Sequence, residues 1–164
     1  MNRRQVIALL ATSALAVAQP RGQSPLIGCW KVRSCERTLR DGKIQSHFGT
    51  SPVGRIEYDK AGRMFALLMR PGRQFSMAPG MELDNATEDE LRNAVTGIVA
   101  YFGSYDVDET ALTVSHHVQA SLFLSWVGTD LKRNFQFERG SLVLTRVSPD
   151  DTSSDRLVFD REPD

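Results

Sequence analysis

The sequence predicts an all-β fold, an antiparallel barrel of eight strands with one α-helix inserted between the third and fourth. Three observations predict it. Short runs of alternating apolar and polar residues recur along the chain, tight polar turns separate them, and a single stretch carries helical spacing behind a capping sequence. Strands this short and this regularly spaced favour a closed barrel, because closure removes the unpaired edges of an open sheet. A barrel of eight strands is either filled by side chains or wide enough for one small ligand.

The 164 residues provide for one domain with one core. Three segments are expected: a signal peptide over 1–18, a flexible lead-in over 19–25 and the barrel over 26–164. Met1-Asn2-Arg3-Arg4 is a basic start, Val6 to Ala18 is apolar, and Ala16-Val17-Ala18 is a small-x-small cleavage site. The apolar run, about 13 residues, is shorter than the roughly 20 needed to span a bilayer. No integral membrane segment is therefore expected after processing. The paired arginines fit either a twin-arginine (Tat) or an ordinary Sec signal, and both routes place the mature chain in the periplasm or outside the cell. Gln19 to Pro25, with two prolines and a glycine, reads as the lead-in.

The first strand runs from Ile27 to Leu39, with Trp30, Val32 and Ser34 on one face and Lys31, Arg33 and Cys35 on the other. Cys29 and Cys35 on one extended strand lie about 20 Å apart, far beyond the roughly 7 Å that a disulfide bridges, so free thiols are expected. Asp41-Gly42 marks a turn. Ile44 to Thr50 has no clear pattern, and His47 within it reads as a loop or edge residue. Val53 to Tyr58 and Arg63 to Arg70 form a hairpin through Asp59-Lys60-Ala61-Gly62. The second of these strands is apolar on both faces, which predicts that another element covers its outside.

Pro71 to Ala86, rich in Pro, Gly and Met, reads as an irregular connection or a mobile lid. Thr87 with Glu90 is a capping box. Leu91, Val95, Ile98 and Val99 follow at helical spacing, giving an amphipathic helix to about Tyr101 that should lie against the sheet. Tyr101 to Val107 and Leu112 to Gln119 make a second hairpin. Gly128 to Glu138, Ser141 to Val147 and Arg156 to Arg161 complete the set, the first two joined by Arg139-Gly140.

Site candidates concentrate between Leu112 and Phe137. His116 and His117 are adjacent on a strand and must point to opposite faces. Alternation with Leu112, Val114 and Val118 favours His116 inward, although the Thr113, Ser115 and His117 face also suits a cavity wall. Arg133 is in phase with Leu131, Phe135 and Phe137, so it should point inward. A buried guanidinium there requires an anion, either a strand carboxylate such as Glu57 or the carboxylate of a ligand. Trp126, with Phe123, stands at an aromatic corner as a cavity mouth or a plug. Tyr101 and Tyr105 share a face and offer hydroxyls for the polar end of a pocket, and Tyr58, in phase with Ile56, offers a third. Trp30 is expected to close the opposite end of the barrel under Arg161 or Arg156.

Other chemistries find little support. The chain holds 20 basic and 20 acidic side chains, and removal of Arg3 and Arg4 leaves 18 against 20, so no basic footprint for nucleic acid exists. No G-x-S-x-G, H-E-x-x-H, Walker or dinucleotide motif occurs. Three histidines without Cys-x-x-Cys predict no metal site, and no cofactor is expected.

Gly28-Cys29-Trp30 fits the G-x-W that opens lipocalins. The passages P-V-G-R-I-E-Y-D-K-A-G-R-M-F-A-L-L-M-R-P-G-R, Y-F-G-S-Y-D-V-D-E and V-S-H-H-V-Q-A-S-L-F-L-S-W-V-G-T-D, in that order, resemble the bacterial and fungal lipocalin-like domain family. The resemblance implies a calycin-type barrel with an interior cavity and carries over no catalytic residue. The chain departs from better-known lipocalins in having Leu131 after Thr129-Asp130, where their second motif has an aromatic, and in having no helix after the last strand.

Three functions are consistent with these residues. The first is an exported monomer or weak homodimer that binds a small, mostly apolar molecule with a polar or anionic end, held by Arg133, His116 and Tyr105. The second is a metal-free isomerase, cyclase or hydratase using an inward histidine as base and a tyrosine as acid. The third is a filled barrel that serves as an interaction module.

Overall fold

Strand β1, Gly28–Leu39, is the seam on which the barrel closes. The computed structural model describes residues 24–73, 86–147 and 153–163. Nine strands follow one another as β1, β2 (Ile44–Ser46), β3 (Val53–Tyr58), β4 (Arg63–Met69), β5 (Ile98–Asp108), β6 (Thr113–Ser121), β7 (Asp130–Glu138), β8 (Ser141–Val147) and β9 (Ser153–Arg161), with helix α1 (Glu88–Val95) between β4 and β5. From β3 to β9 each strand pairs antiparallel with the next, and β1 pairs with both β3 and β9. Eight strands therefore close the barrel.

Strand β2 is the ninth and lies outside this ring. It takes the edge of β1 at Glu36–Thr38, beyond Gly28–Lys31 where β3 is bound. Its three residues are all exposed, which is why no alternation marked it in the sequence. Counting it moves the helix from between the third and fourth strands to between the fourth and fifth.

A β-bulge in β1 reverses the expected facing of its second half. Val32 pairs with Phe159 but Ser34 with Val158, so Arg33 is an extra residue in the ladder. Beyond it every side chain changes face. Cys35 is buried and Arg37 lines the interior, whereas strict alternation placed Ser34 inside. Both cysteines are free thiols.

The turns follow their residues. The Asp59 carboxylate accepts from the backbone N–H of Ala61 at 2.9 Å and of Arg63 at 2.8 Å, closing the β3–β4 turn. Arg139 and Gly140 both have positive φ, 50° and 87°, as the two-residue β7–β8 turn requires. At Gly103 a Cβ would overlap the His117 carbonyl oxygen, so glycine alone allows β5 and β6 to approach where their register slips.

Helix α1 is shorter than its apolar spacing predicted. The capping box forms as expected, Thr87 N–H donating to Glu90 Oε2 at 2.9 Å and Glu90 N–H to Thr87 Oγ1 at 3.3 Å. The helix stops at Val95, and Gly97 turns the chain at φ 79°. Ile98 and Val99 then pair with Met69 and Leu68 as the start of β5. Without them the helix keeps only Leu91 and Val95, which are 39% and 47% exposed, and it buries no residue. It does not cover β4 as expected. Phe65 on β4 and its partner Phe102 on β5 remain exposed on the outer face. The expected lid over Pro71 to Ala86 falls mostly outside the described residues.

One end of the barrel is plugged. Trp30 is buried, its indole N–H donates to the Leu26 carbonyl at 2.7 Å, and the Arg161 guanidinium lies 5.1 Å from its ring centroid. This is the closure expected of Trp30 and Arg161.

Candidate functional site

Toward the Arg37 end of β1 the interior opens into a cavity of about 270 Å³. Its wall is mostly apolar, with Phe48, Leu68, Phe123, Trp126, Leu144 and Phe159 among the lining side chains. Trp126 belongs to a short 3-10 turn, Leu124–Trp126, that follows β6. It meets Tyr101 edge-on at 5.8 Å and Phe123 at 4.8 Å, which makes an aromatic corner of the wall.

The polar part of the wall consists of Arg133, Arg146, Asp155, Arg37 and His47. Arg37 holds Asp155 with two prongs, Nε to Oδ1 at 2.7 Å and Nη2 to Oδ2 at 3.3 Å. Arg146 Nε stands 3.6 Å from the same carboxylate. Arg133 donates from Nη1 to the Lys132 carbonyl at 3.0 Å, and among the described residues no carboxylate forms an ion pair with it. Burial lowers the pKa of this guanidinium, Tyr101 opposes the shift and Arg146 adds to it. It remains charged at neutral pH.

Behind the wall lies a fully buried chain of three side chains. The Tyr58 hydroxyl is 2.8 Å from His116 Nε2, and the Tyr101 hydroxyl is 2.9 Å from His116 Nδ1. Burial, reinforced by Arg133 and His117, pushes the His116 pKa down to about 3, so the imidazole is neutral. A neutral ring has one donor and one acceptor, so one tyrosine donates to it and the other accepts. Burial raises the pKa of both phenols. Only Tyr101 of the three also lines the cavity.

The lipocalin-like domain model matches residues 27–160. The chain belongs to the lipocalin-like domain family. It is also 33% identical over 92 residues, 52% of this chain and 81% of the relative, to the 4'-hydroxy-3'-methoxypropiophenone carrier protein of Aspergillus oryzae.

Within this lipocalin-like barrel the residues singled out in the sequence separate into three groups. Arg133, Tyr101 and Trp126 line the cavity. His116 and Tyr58 point inward behind Tyr101, so His116 is the inward histidine, but both of its ring nitrogens are occupied by tyrosines and neither faces the cavity. Tyr105 and His117 are elsewhere. Tyr105 shares the inner face with Tyr101 but lies four residues, about 13 Å, along the strand; its hydroxyl donates to the Asp59 carbonyl at 2.9 Å. His117 is on the outer face, with Nδ1 2.7 Å from Asp130 and Nε2 2.9 Å from Asp106. Glu57, the suggested partner of Arg133, is also outside, 3.5 Å from Arg55.

Arg37, Arg146, Asp155 and His47 were missed. The bulge concealed Arg37, and Asp155 lay before the predicted start of the last strand. Arg146 was detectable, since it alternates with Leu142 and Leu144, two buried residues. Among the described residues no group of three or more His, Cys, Asp or Glu side chains is placed to hold a metal ion, and no helix is long and apolar enough to cross a membrane.

Proposed function

We propose that this lipocalin-like protein is a carrier that binds one small, mostly apolar molecule inside its barrel, with the polar or anionic end of the molecule at Arg133. The observation that supports the reading most strongly is the Arg133 guanidinium, charged, set in the cavity wall and, among the described residues, without an ion-pair partner. A half-buried charge in a mostly apolar cavity is stabilised by an anionic or polar partner, and a ligand oxygen supplies one. The aromatic corner of Tyr101, Phe123 and Trp126 provides the surface on which a flat apolar body rests.

The relative from Aspergillus oryzae is named for a compound that is a flat ring bearing hydroxyl, methoxy and keto groups. Such a molecule has the size and the mixed polarity that a cavity of about 270 Å³ accommodates. Arg133 in place of a neutral donor favours an acceptor carrying partial or full negative charge. The engaged nitrogens of His116 favour carriage over acid–base catalysis, because neither is free to take a substrate proton.

The same reading takes residues 1–18 as an export signal, on the strength of Arg3-Arg4, the apolar run and Ala16-Val17-Ala18. The mature protein then acts in the periplasm or outside the cell as a monomer or weak homodimer, without nucleic acid and without an integral membrane segment. Titration of the mature protein with 4'-hydroxy-3'-methoxypropiophenone and related aryl ketones, followed by tryptophan fluorescence, tests the reading. Saturable one-to-one binding that weakens at least tenfold in Arg133→Ala is expected, and absence of saturable binding across the series contradicts it.

A further inference from the structure

We propose that the carried molecule is an organic carboxylate whose carboxylate group sits between Arg133 and Arg146. The inference rests on the carrier reading and narrows it to one ligand class. The β7–β8 ladder pairs Phe135 with Leu144 and ends at Asn134 with Thr145; Arg133 and Arg146 follow one residue beyond it on each strand, and both line the cavity. Arg146 in turn pairs with Asp155 across β8 and β9, and Asp155 with Arg37 across β9 and β1. All four side chains line the cavity. They form one inward row across four strands, in the order arginine, arginine, aspartate, arginine.

Among the described residues that row sets three guanidiniums against one carboxylate. Like charges close together on a sheet repel; Arg146 is near enough to Arg133 to lower its pKa, and among the described residues no carboxylate forms an ion pair with Arg133. Asp155 engages Arg37 with both oxygens and leaves Arg146 Nε 3.6 Å away, too far for a hydrogen bond. Arg146 Nε is the one buried side-chain polar atom among the described residues without a hydrogen-bond partner. Buried polar groups left unsatisfied mark a missing partner. Its neighbour Arg133 donates to the Lys132 carbonyl but, among the described residues, has no carboxylate in an ion pair with it.

The chemistry of the missing partner follows from the donors. Guanidinium forks match the two coplanar oxygens of a carboxylate. Arg133 already donates one N–H to the Lys132 carbonyl, which leaves the pair better suited to a planar acceptor than to a tetrahedral phosphate with three oxygens to satisfy. The rest of the wall, with Phe48, Tyr101, Phe123 and Trp126, calls for an apolar, flat body.

Isothermal titration of the mature protein at pH 7 with 2-naphthoate, 2-naphthamide and 2-naphthyl phosphate tests this directly. The acid is expected to bind at least 30-fold more tightly than the amide and more tightly than the phosphate. Arg146→Gln is expected to lower affinity for the acid at least tenfold while leaving the amide within twofold, with Arg146→Lys intermediate. Equal binding of acid and amide overturns the carboxylate inference and leaves the carrier reading standing, and so does tighter binding of the phosphate. Equal weakening of acid and amide by Arg146→Gln also overturns it. If none of the three binds, the carrier reading for flat aromatic ligands fails and the inference fails with it. The comparison of acid with amide in the unaltered protein decides the matter even if an Arg146 variant does not fold.

Discussion

Arg37 and Asp155 join the two strands at which the barrel closes, through two hydrogen-bonded contacts of 2.7 and 3.3 Å. Their register depends on the extra residue at Arg33, without which Arg37 would point to solvent. The pair therefore closes the barrel and shapes the charged side of its cavity.

Breaking this pair should loosen the seam. Asp155→Asn removes the anion from a partly buried charge-assisted contact and leaves Arg37 and Arg146 without it, at a cost of about 2–3 kcal/mol. Urea unfolding of the variant should show a lower midpoint with an unchanged slope, and an unchanged midpoint would contradict the role assigned to the pair.

His116 should make the fold sensitive to acid. Its folded pKa of about 3 lies below the usual histidine value of 6.5, so between these limits the unfolded chain binds the additional proton. The stabilising contribution is complete above pH 6.5 and declines as pH falls toward 3, by at most about 1.4 kcal/mol per pH unit. Carboxylates contribute their own losses in this range. The relevant quantity is thus the difference between the wild type and His116→Gln, which should narrow steadily from pH 7 to pH 4 as the wild type loses more.

His117 should act in the opposite sense and weakly. Hydrogen bonds to Asp130 and then to Asp106 raise its pKa above 6.5. Its contribution is present below pH 6.5 and is lost as pH rises through the raised value. The imidazole is exposed, so solvent screening limits the effect. An NMR titration should show His117 titrating above 6.5, and Asp130→Asn should bring it down.

The two thiols should react slowly in the folded protein. Burial is the largest cause that pushes both Cys29 and Cys35 up to about 12; Glu162, 2.9 Å from the Cys29 sulfur, adds to the first and Asp155 to the second. At pH 8 about one thiol in ten thousand is then ionised. A disulfide reagent such as DTNB should leave the buried Cys35 unlabelled until denaturant is added and label the half-buried Cys29 only slowly, and rapid labelling of Cys35 in the native protein would contradict this burial.

Much of the fold was legible because local chemistry and global shape agree. Asp59 to Gly62, Arg139-Gly140 and the Thr87–Glu90 box each stop or start an element by a mechanism visible in a few residues. What was not legible depended on partners distant in sequence. The bulge at Arg33 exists only in the ladder with β9, so Ser34 and Cys35 were assigned to the wrong faces and Arg37 was not singled out. Ile98 and Val99 fit a helix by spacing, but β4 offers them a ladder, and the helix shortens. Arg133, Tyr101 and Trp126 were found because alternation held on β5 and β7 and the aromatic corner was local. Tyr105 met the same alternation and still missed the cavity, since parity gives a face and says nothing of the height along the barrel.

The central claim is that the cavity beside Arg133 and Arg146 carries a small molecule. Native mass spectrometry of the mature protein, purified gently from its own host, tests it most directly, with the released mass identified after denaturation. The account predicts one stoichiometric organic acid that is retained by the wild type and absent from Arg133→Ala. A protein that stays empty, including after incubation with host metabolite extracts, would contradict it.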